Sequence, residues 1–330
     1  MKVKQCVIFE FTIHILRRVV ILFLIYINDI DLCSLGGSSI VMYADDVKLS
    51  RVMEKADPHV AYYQMREELE NLLNWSNTWK MKISEPKCQH LAIGDQWEFP
   101  LKINGSVIPK TSTIRDLGIM VSSDLSFSSH IEKIVRSATV TATRILKSIV
   151  QPNLSVYLKS YTSYVRPILE YASTVWSPYS KNEILLVERV QNRFTKIALN
   201  KINYEMYHNF TKEERLTVFS LKSLQHRRIV YDLIECFKIV RGFGLHKHPV
   251  LDSMFILGGR QRRDGNSLYI RQEMVSTLQT QSFFKHRVTR IWNLLDEATV
   301  RSSTIESFKS KIDALDLVEL SDQADCNIGA

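Results

Sequence analysis

Three observations predict an α+β fold. Between residues 39 and 125, short apolar runs alternate with turn residues around a single helical stretch. From about residue 129, apolar residues recur at helical spacing almost to the end of the chain. The charge changes along the same divide: residues 1–130 carry 14 Lys+Arg and 15 Asp+Glu, residues 131–292 carry 26 and 12, and residues 293–330 carry 3 and 8. A net of +14 in the helical middle is what a polyanionic partner requires, although a solvated surface has the same composition.

The chain has 330 residues, 45% of them apolar and 24% charged, which is enough apolar material for real cores and argues against global disorder. The five cysteines are widely spaced and form no CxxC pair, so neither a disulfide framework nor a zinc module is expected, and a reducing compartment fits best. Residues 19–27, VVILFLIYI, follow Arg17-Arg18 and could pass for a membrane signal. The run is about half of the roughly 20 residues that span a bilayer, and no small-residue cleavage site follows it. Residues 13–30 are read as a buried helix ending near Asn28, and no stable membrane association is expected.

Gly36-Gly37-Ser38-Ser39 then breaks the chain. IVMY (40–43) reads as a strand, Ala44-Asp45-Asp46 as a turn and VKLS (47–50) as the return strand. Asp57-Pro58 starts a helix in which Tyr62, Met65, Leu69, Leu72 and Trp79 face a core, with Glu67, Glu68 and Glu70 on the polar side. A strand is expected in the second half of residues 81–94, a hairpin at Asn104-Gly105, and a strand followed by a loop over 114–131. Helices dominate thereafter, with breaks at Pro152, Pro167, Pro178, Gly242–Gly244, Pro249 and Gly258-Gly259, and the tail from 321 is expected to fray. The expected divisions are 1–127, 128–200, 201–320 and 321–330.

Two helices carry organised charge. Over 129–150, winding at about 100° per residue gathers Lys133, Arg136, Arg144 and Lys147 within roughly 80°, opposite Ile134, Ala138, Ile145 and Ile149. Over 183–199, Arg189, Arg193 and Lys196 share one side while Ile184, Val187, Phe194 and Ile197 face inward. A basic stripe is usually a solvated face. Two in succession in a segment of net +14 make phosphate binding the sharper expectation.

Adjacent Asp45 and Asp46 are in isolation a solvated turn. On a rigid hairpin they also suit Mg²⁺, a hard cation that takes oxygen ligands, and two-metal phosphoryl chemistry needs such ligands together with a third carboxylate.

The sequence around them resembles the reverse transcriptases of non-LTR (LINE-type) retrotransposons. YADD (43–46) is similar to their catalytic hairpin, and LFLIYINDI (22–30) to the end of the palm helix before it. WSNTWKMKISEPKC (75–88) resembles the lead into the next palm strand, and DLGIMVSSDLSFSSHI (116–131) the element ahead of the thumb. VRPILEYASTVWSP (165–178), LLVERVQNRFTKIA (185–198), RLTVFSLKSLQHRR (215–228) and FKHRVTRIWNLLD (284–296) resemble the helical regions beyond. The resemblance covers about residues 20–312.

It implies a partial polymerase palm followed by a helical thumb and C-terminal region. It further implies Asp45 as the metal-ligating catalytic carboxylate, Asp46 as its weaker companion, Tyr43 beside the primer end and Lys87 near incoming phosphate. An exposed strand-end lysine is the plainer reading of Lys87. Mg²⁺, with Mn²⁺ as substitute, would be the cofactor. An RNA template with a DNA primer would be the partner, gripped by the thumb helices, in the nucleus or cytoplasm and not outside the cell.

The sequence departs from the family where a second palm carboxylate should stand: Glu10 is the sole acid before Leu22. The Pro-Gln-Gly loop and the fingers have no counterpart here. A truncated polymerase, inactive alone and with an open edge beside the hairpin, is therefore expected. A non-catalytic nucleic-acid-binding module and an inert remnant are the alternatives.

Overall fold

The computed structural model describes residues 5–12, 25–53, 58–94, 99–243, 253–258, 266–275 and 277–326, with side chains from residue 25 onward apart from a few positions. The chain is α+β and divides into two compact units, Met1–Phe127 and Ser128–Ala330. The stretches 128–200 and 201–320 both lie in the second.

The first unit is built on a sheet of order β2-β3-β1-β4-β7, formed by β1 (Gln5–Thr12), β2 (Ser38–Tyr43), β3 (Asp46–Met53), β4 (Gln89–Ile93) and β7 (Lys110–Thr111). Two small hairpins accompany it: β5 (Lys102–Ile103) with β6 (Ser106–Val107), and β8 (Thr113–Asp116) with β9 (Ile119–Ser122). The β3 side of the hairpin, where an open edge is expected, is covered by β1, while β2 is the edge strand of the sheet. β1 runs antiparallel to β3 from Gln5↔Met53 to Thr12↔Asp46, and antiparallel to β4 from Cys6↔Ile93 to Glu10↔Gln89. Residues 114–122 are likewise a hairpin rather than a strand and loop, because Leu117 (φ 44°) and Gly118 (φ 92°) turn the chain back in the left-handed region that a two-residue turn uses.

Helix α1 (Pro58–Thr78) packs Met65, Leu69 and Leu72, all fully buried, against Val47 and Leu49 of β3. Trp75 Nε1 donates to Asp29 Oδ1 at 2.8 Å, and Tyr26 Oη donates to the Trp79 carbonyl at 2.6 Å. The end of the segment that precedes the hairpin is thereby pinned to the end of α1. The expected buried helix over 13–30 falls mostly outside the described residues.

Glu68 overturns its placement on the polar face. Its side chain is fully buried and accepts from Arg51 Nη2 (3.0 Å), the Leu35 amide (2.8 Å) and Ser38 Oγ (2.7 Å). Arg51, buried on β3, also donates to Gln64 and to the Leu35 and Gly36 carbonyls. Helical periodicity puts position 68 on the boundary of the core arc. There a carboxylate enters only because an arginine from the strand meets it.

The second unit is helical. It contains α2 (Ser128–Ser148), α3 (Leu154–Ser160), a π-helical turn (Tyr161–Val165), α4 (Arg166–Glu170), α5 (Ser173–Trp176), α6 (Lys181–Ile202), α7 (Tyr204–Asn209), α8 (Lys212–Val218) and α9 (Leu224–Arg241). It ends with α10 (Leu278–Ser282), α11 (Phe284–Trp292), α12 (Glu297–Val300), α13 (Ile305–Asp313) and α14 (Leu317–Cys326). Helix α14 thus runs through part of the tail expected to fray.

Pro167 does not break the helix as expected. It sits in the first turn of α4, and the chain passes from α3 to α4 through the wider π turn, closed by the Arg166 amide on the Tyr161 carbonyl. Helix α9 ties the unit together. Arg227 pairs with Glu170 of α4, Asp232 takes Arg287 of α11 in a two-point ion pair (2.8 Å each), and Phe237 stacks on Phe308 of α13 at 4.2 Å.

Breaking the Arg51–Glu68 pair from one side strands a charge in the core. Arg51→Met should destabilise the protein by about 3–5 kcal/mol, and adding Glu68→Leu should recover most of the loss, measured by urea denaturation of the full chain.

Candidate functional sites

The carboxylate hairpin is tighter than the sequence suggests. Tyr43 pairs with Asp46 in the ladder, so the turn is Ala44-Asp45 alone and Asp46 is the first residue of β3. Ala44 holds φ 53°, a conformation alanine adopts at a cost of order 1 kcal/mol. Asp45 is exposed at the tip. Asp46 and Tyr43 face each other across the two strands on the sheet's outer side, Tyr43 being 66% exposed. Inward-facing Val47, Leu49 and Arg51 alternate with outward Asp46 and Lys48, which fixes the register of the pair.

Lys87 lies on an exposed turn leading into β4. Because Glu10 is opposite both Lys48 and Gln89, the ladder carries Lys87 to the end of the sheet that holds Asp46. The two positions are two strand spacings apart, about 10 Å. Asp45, Asp46, Tyr43 and Lys87 therefore gather at one end of the sheet.

Asp45 and Asp46 offer hard oxygen donors. On that face Asp116 of β8 is held by Lys48, two residues beyond Asp46, and the register puts position Glu10 of β1 opposite Lys48. Among the described residues, no group of three His, Cys, Asp or Glu side chains could hold a metal ion. The donor set fits one largely hydrated cation and not a two-metal clamp.

The helical unit presents the second site. Lys133, Arg136, Arg144 and Lys147 are all exposed on α2, and Arg189, Arg193 and Lys196 are all exposed on α6. The buried residues of α2 are His130, Ile131, Ala138, Ala142 and Leu146, with Ile134 and Ile145 half-buried, so the inward stripe is shifted slightly from the expected one. On α6, Val187 and Phe194 are buried as expected, Ile184 and Ile197 are half-buried, and the core also takes Glu188, Gln191 and Thr195.

Those buried polar residues are the part that pattern reading missed, and they set the rotation of α6. Glu188 accepts from the Gln225 amide at the start of α9 (2.8 Å). Gln191 accepts from Tyr161 Oη (2.8 Å) and donates to the Lys222 carbonyl (3.1 Å).

Two contacts define how α2 and α6 lie together. Ser128 Oγ donates to Glu183 at their first turns, and Lys201 Nζ donates to the Leu146 carbonyl at their last, 2.5 Å each. The helices run parallel with a constant offset of 55 residues. Wound at 100° per residue from those contacts, both basic stripes point to the same outer side of the pair, opposite both buried arcs. The seven cations form two columns on axes about 8–10 Å apart, the α2 column extending about 21 Å and the α6 column about 10 Å. Glu132 lies at the edge of the stripe, toward α6.

The chain is 33% identical over 129 residues to an uncharacterized protein of Caenorhabditis elegans, a stretch that covers 39% of this chain and 64% of the other. It thus spans less than two thirds of that relative's length. No family model matches the chain. No solved structure matches it either. Among the described residues, no helix is long and apolar enough to cross a membrane.

His130 anchors the start of α2 edge-on against Trp176 (5.3 Å between ring centres). Burial first, and the Lys133 charge second, push its pKa down to about 4 from an ordinary 6.5. The unfolded chain therefore takes up this proton first as pH falls. The contribution is fully present above about pH 6.5 and is lost as pH falls toward 4. Denaturation between pH 7 and 4 should show stability declining through that window, with a shallower decline in His130→Gln.

Proposed function

We propose that this chain is a reverse-transcriptase-type palm hairpin joined to a thumb-type helical unit, and that its work on its own is to hold nucleic acid rather than to polymerise it. The observation that carries this reading is the alignment of seven exposed cations on one outer face of α2 and α6. Two rigid columns of positive charge meet the regularly spaced phosphates of a duplex without reading sequence, as a template–primer requires. The positioning is built in: the interior polar contacts of Glu188 and Gln191 hold α6 so that Arg189, Arg193 and Lys196 emerge beside the α2 stripe.

The hairpin supports the polymerase side of the proposal. A tight turn at the end of a sheet presents Asp45 and Asp46 with little conformational freedom, Tyr43 stands beside Asp46, and Lys87 reaches the same end. Phosphoryl transfer depends on positioning and on electrostatic stabilisation by both metals. Among the described side chains Lys48 occupies Asp116 and two carboxylates are left at the hairpin, fewer than two-metal turnover needs. Mg²⁺ would be the cofactor of the complete site and RNA template with DNA primer its substrate.

Fluorescence anisotropy with an RNA–DNA duplex tests the reading. Affinity should fall with salt at a logarithmic slope of about −5, and the combined Lys133→Ala, Arg136→Ala, Arg144→Ala and Lys147→Ala variant should flatten that slope by about 3. An affinity indifferent to salt, or to these four changes, would sink it. Primer extension with Mg²⁺ should give no product from the chain alone. Product that disappears in Asp45→Asn would show a working polymerase instead.

A further inference from the structure

The helical unit carries a second exposed feature that the basic face does not explain. Lys159, Tyr164, Pro167 and Tyr171 are all exposed, Tyr164 at 66% and Tyr171 at 59%. Their spacings are five, three and four residues. Five residues would leave an α-helical face, but the stretch from Lys159 to Tyr164 passes through the π turn, where five residues make about one turn. The π turn therefore brings Lys159, Tyr164, Pro167 and Tyr171 into one row. The same turn sends Tyr161 inward, where it is fully buried and bonded to Gln191. The row is thus rigid: its rings stand on a segment fixed from beneath by Tyr161, Val165 and Leu169, all fully buried.

The surroundings of the row select its occupant. From residue 150 to 182 the chain carries Lys159, Arg166 and Lys181 against one acid, Glu170. That carboxylate is consumed by Arg166, Arg227 and the Tyr231 hydroxyl. Exposed flat rings in line with the exposed Lys159, in a segment whose one carboxylate is already ion-paired, complement an anionic strand whose bases offer π faces. An aliphatic protein partner would gain little from tyrosines whose hydroxyl ends stay in water.

We infer that Lys159, Tyr164, Pro167 and Tyr171 form a stacking platform for unpaired nucleobases, so that the helical unit takes a single-stranded stretch of nucleic acid in addition to the backbone it holds on α2 and α6. This rests on the nucleic-acid reading of the same unit. It differs in the strand it recognises and in the residues that recognise it.

The test compares a fluorescein-labelled single-stranded RNA of roughly 16 nucleotides with a duplex of the same length, both bound to the full chain. Tyr164→Ala with Tyr171→Ala should weaken single-strand binding about tenfold or more, leaving duplex affinity and its salt slope unchanged. Tyr164→Phe with Tyr171→Phe should retain single-strand binding, because stacking needs the ring and not the hydroxyl; this also separates the effect from misfolding. A strand carrying 5-iodouridine should photocrosslink to Tyr164 or Tyr171. The inference is overturned if the alanine pair weakens both probes equally or neither. It is also overturned if that pair abolishes self-association of the chain while single-strand binding stays intact. Duplex binding that survives alongside either result leaves the basic face standing; a chain that binds neither probe removes both readings.

Discussion

The first unit depends on one buried carboxylate. Glu68 reaches from α1 to the two ends of the chain that enter and leave the hairpin: the Leu35 amide before β2, the Ser38 hydroxyl at its start, and the Arg51 guanidinium near the end of β3. Each partner satisfies a group that would otherwise be buried without a hydrogen bond, and together they leave the base of the hairpin no freedom to slide. Gly37 belongs to the same arrangement. It holds φ 96°, and a side chain there would meet Arg51 Nη1 at 3.3 Å. The geometry at the tip, where Asp45 and Asp46 sit, is thus set some six residues away, by charge satisfaction inside the core.

The helical unit solves a similar problem in a similar way. A helix with a wide basic face could rotate about its axis at modest cost if only aliphatic residues held it. In α6 the inward arc includes Glu188, Gln191 and Thr195, and the first two have partners that exist at one rotation only. Helix α9 then carries the restraint onward, because Arg227 and Asp232 bind elements on both sides of it. Directional polar contacts, more than apolar area, decide which way the charged surface looks.

The legibility of these features in the sequence follows from how local they are. The β2–β3 pair, the Asn104-Gly105 turn and both basic stripes were readable because periodicity and turn chemistry are properties of neighbouring residues. Glu68 was misplaced because the residue that licenses its burial, Arg51, is far from it in the helical pattern. The β8–β9 turn was missed because Leu117 gives no signal for a left-handed conformation. Pro167 was read as a break because the π turn that accommodates it depends on Tyr161 finding Gln191 across the unit. The parallel setting of α2 and α6 had no local signature at all. It emerges only from Ser128 with Glu183 and Leu146 with Lys201.

That constant offset of 55 residues constrains how this chain can vary by descent. Residues gained or lost between Ser148 and Leu154 change the length of an exposed turn but leave the two helices in step. A single residue lost inside α6, between Glu183 and Gln191, would turn the remainder of the helix by about 100° relative to its start. It would carry Arg193 and Lys196 off the shared face and bring Gln191 out of reach of Tyr161. Length variation among descendants of this sequence should therefore collect in the exposed turn between α2 and α3, while α2, α6 and the π turn, whose Tyr161 meets Gln191, drift only by substitution.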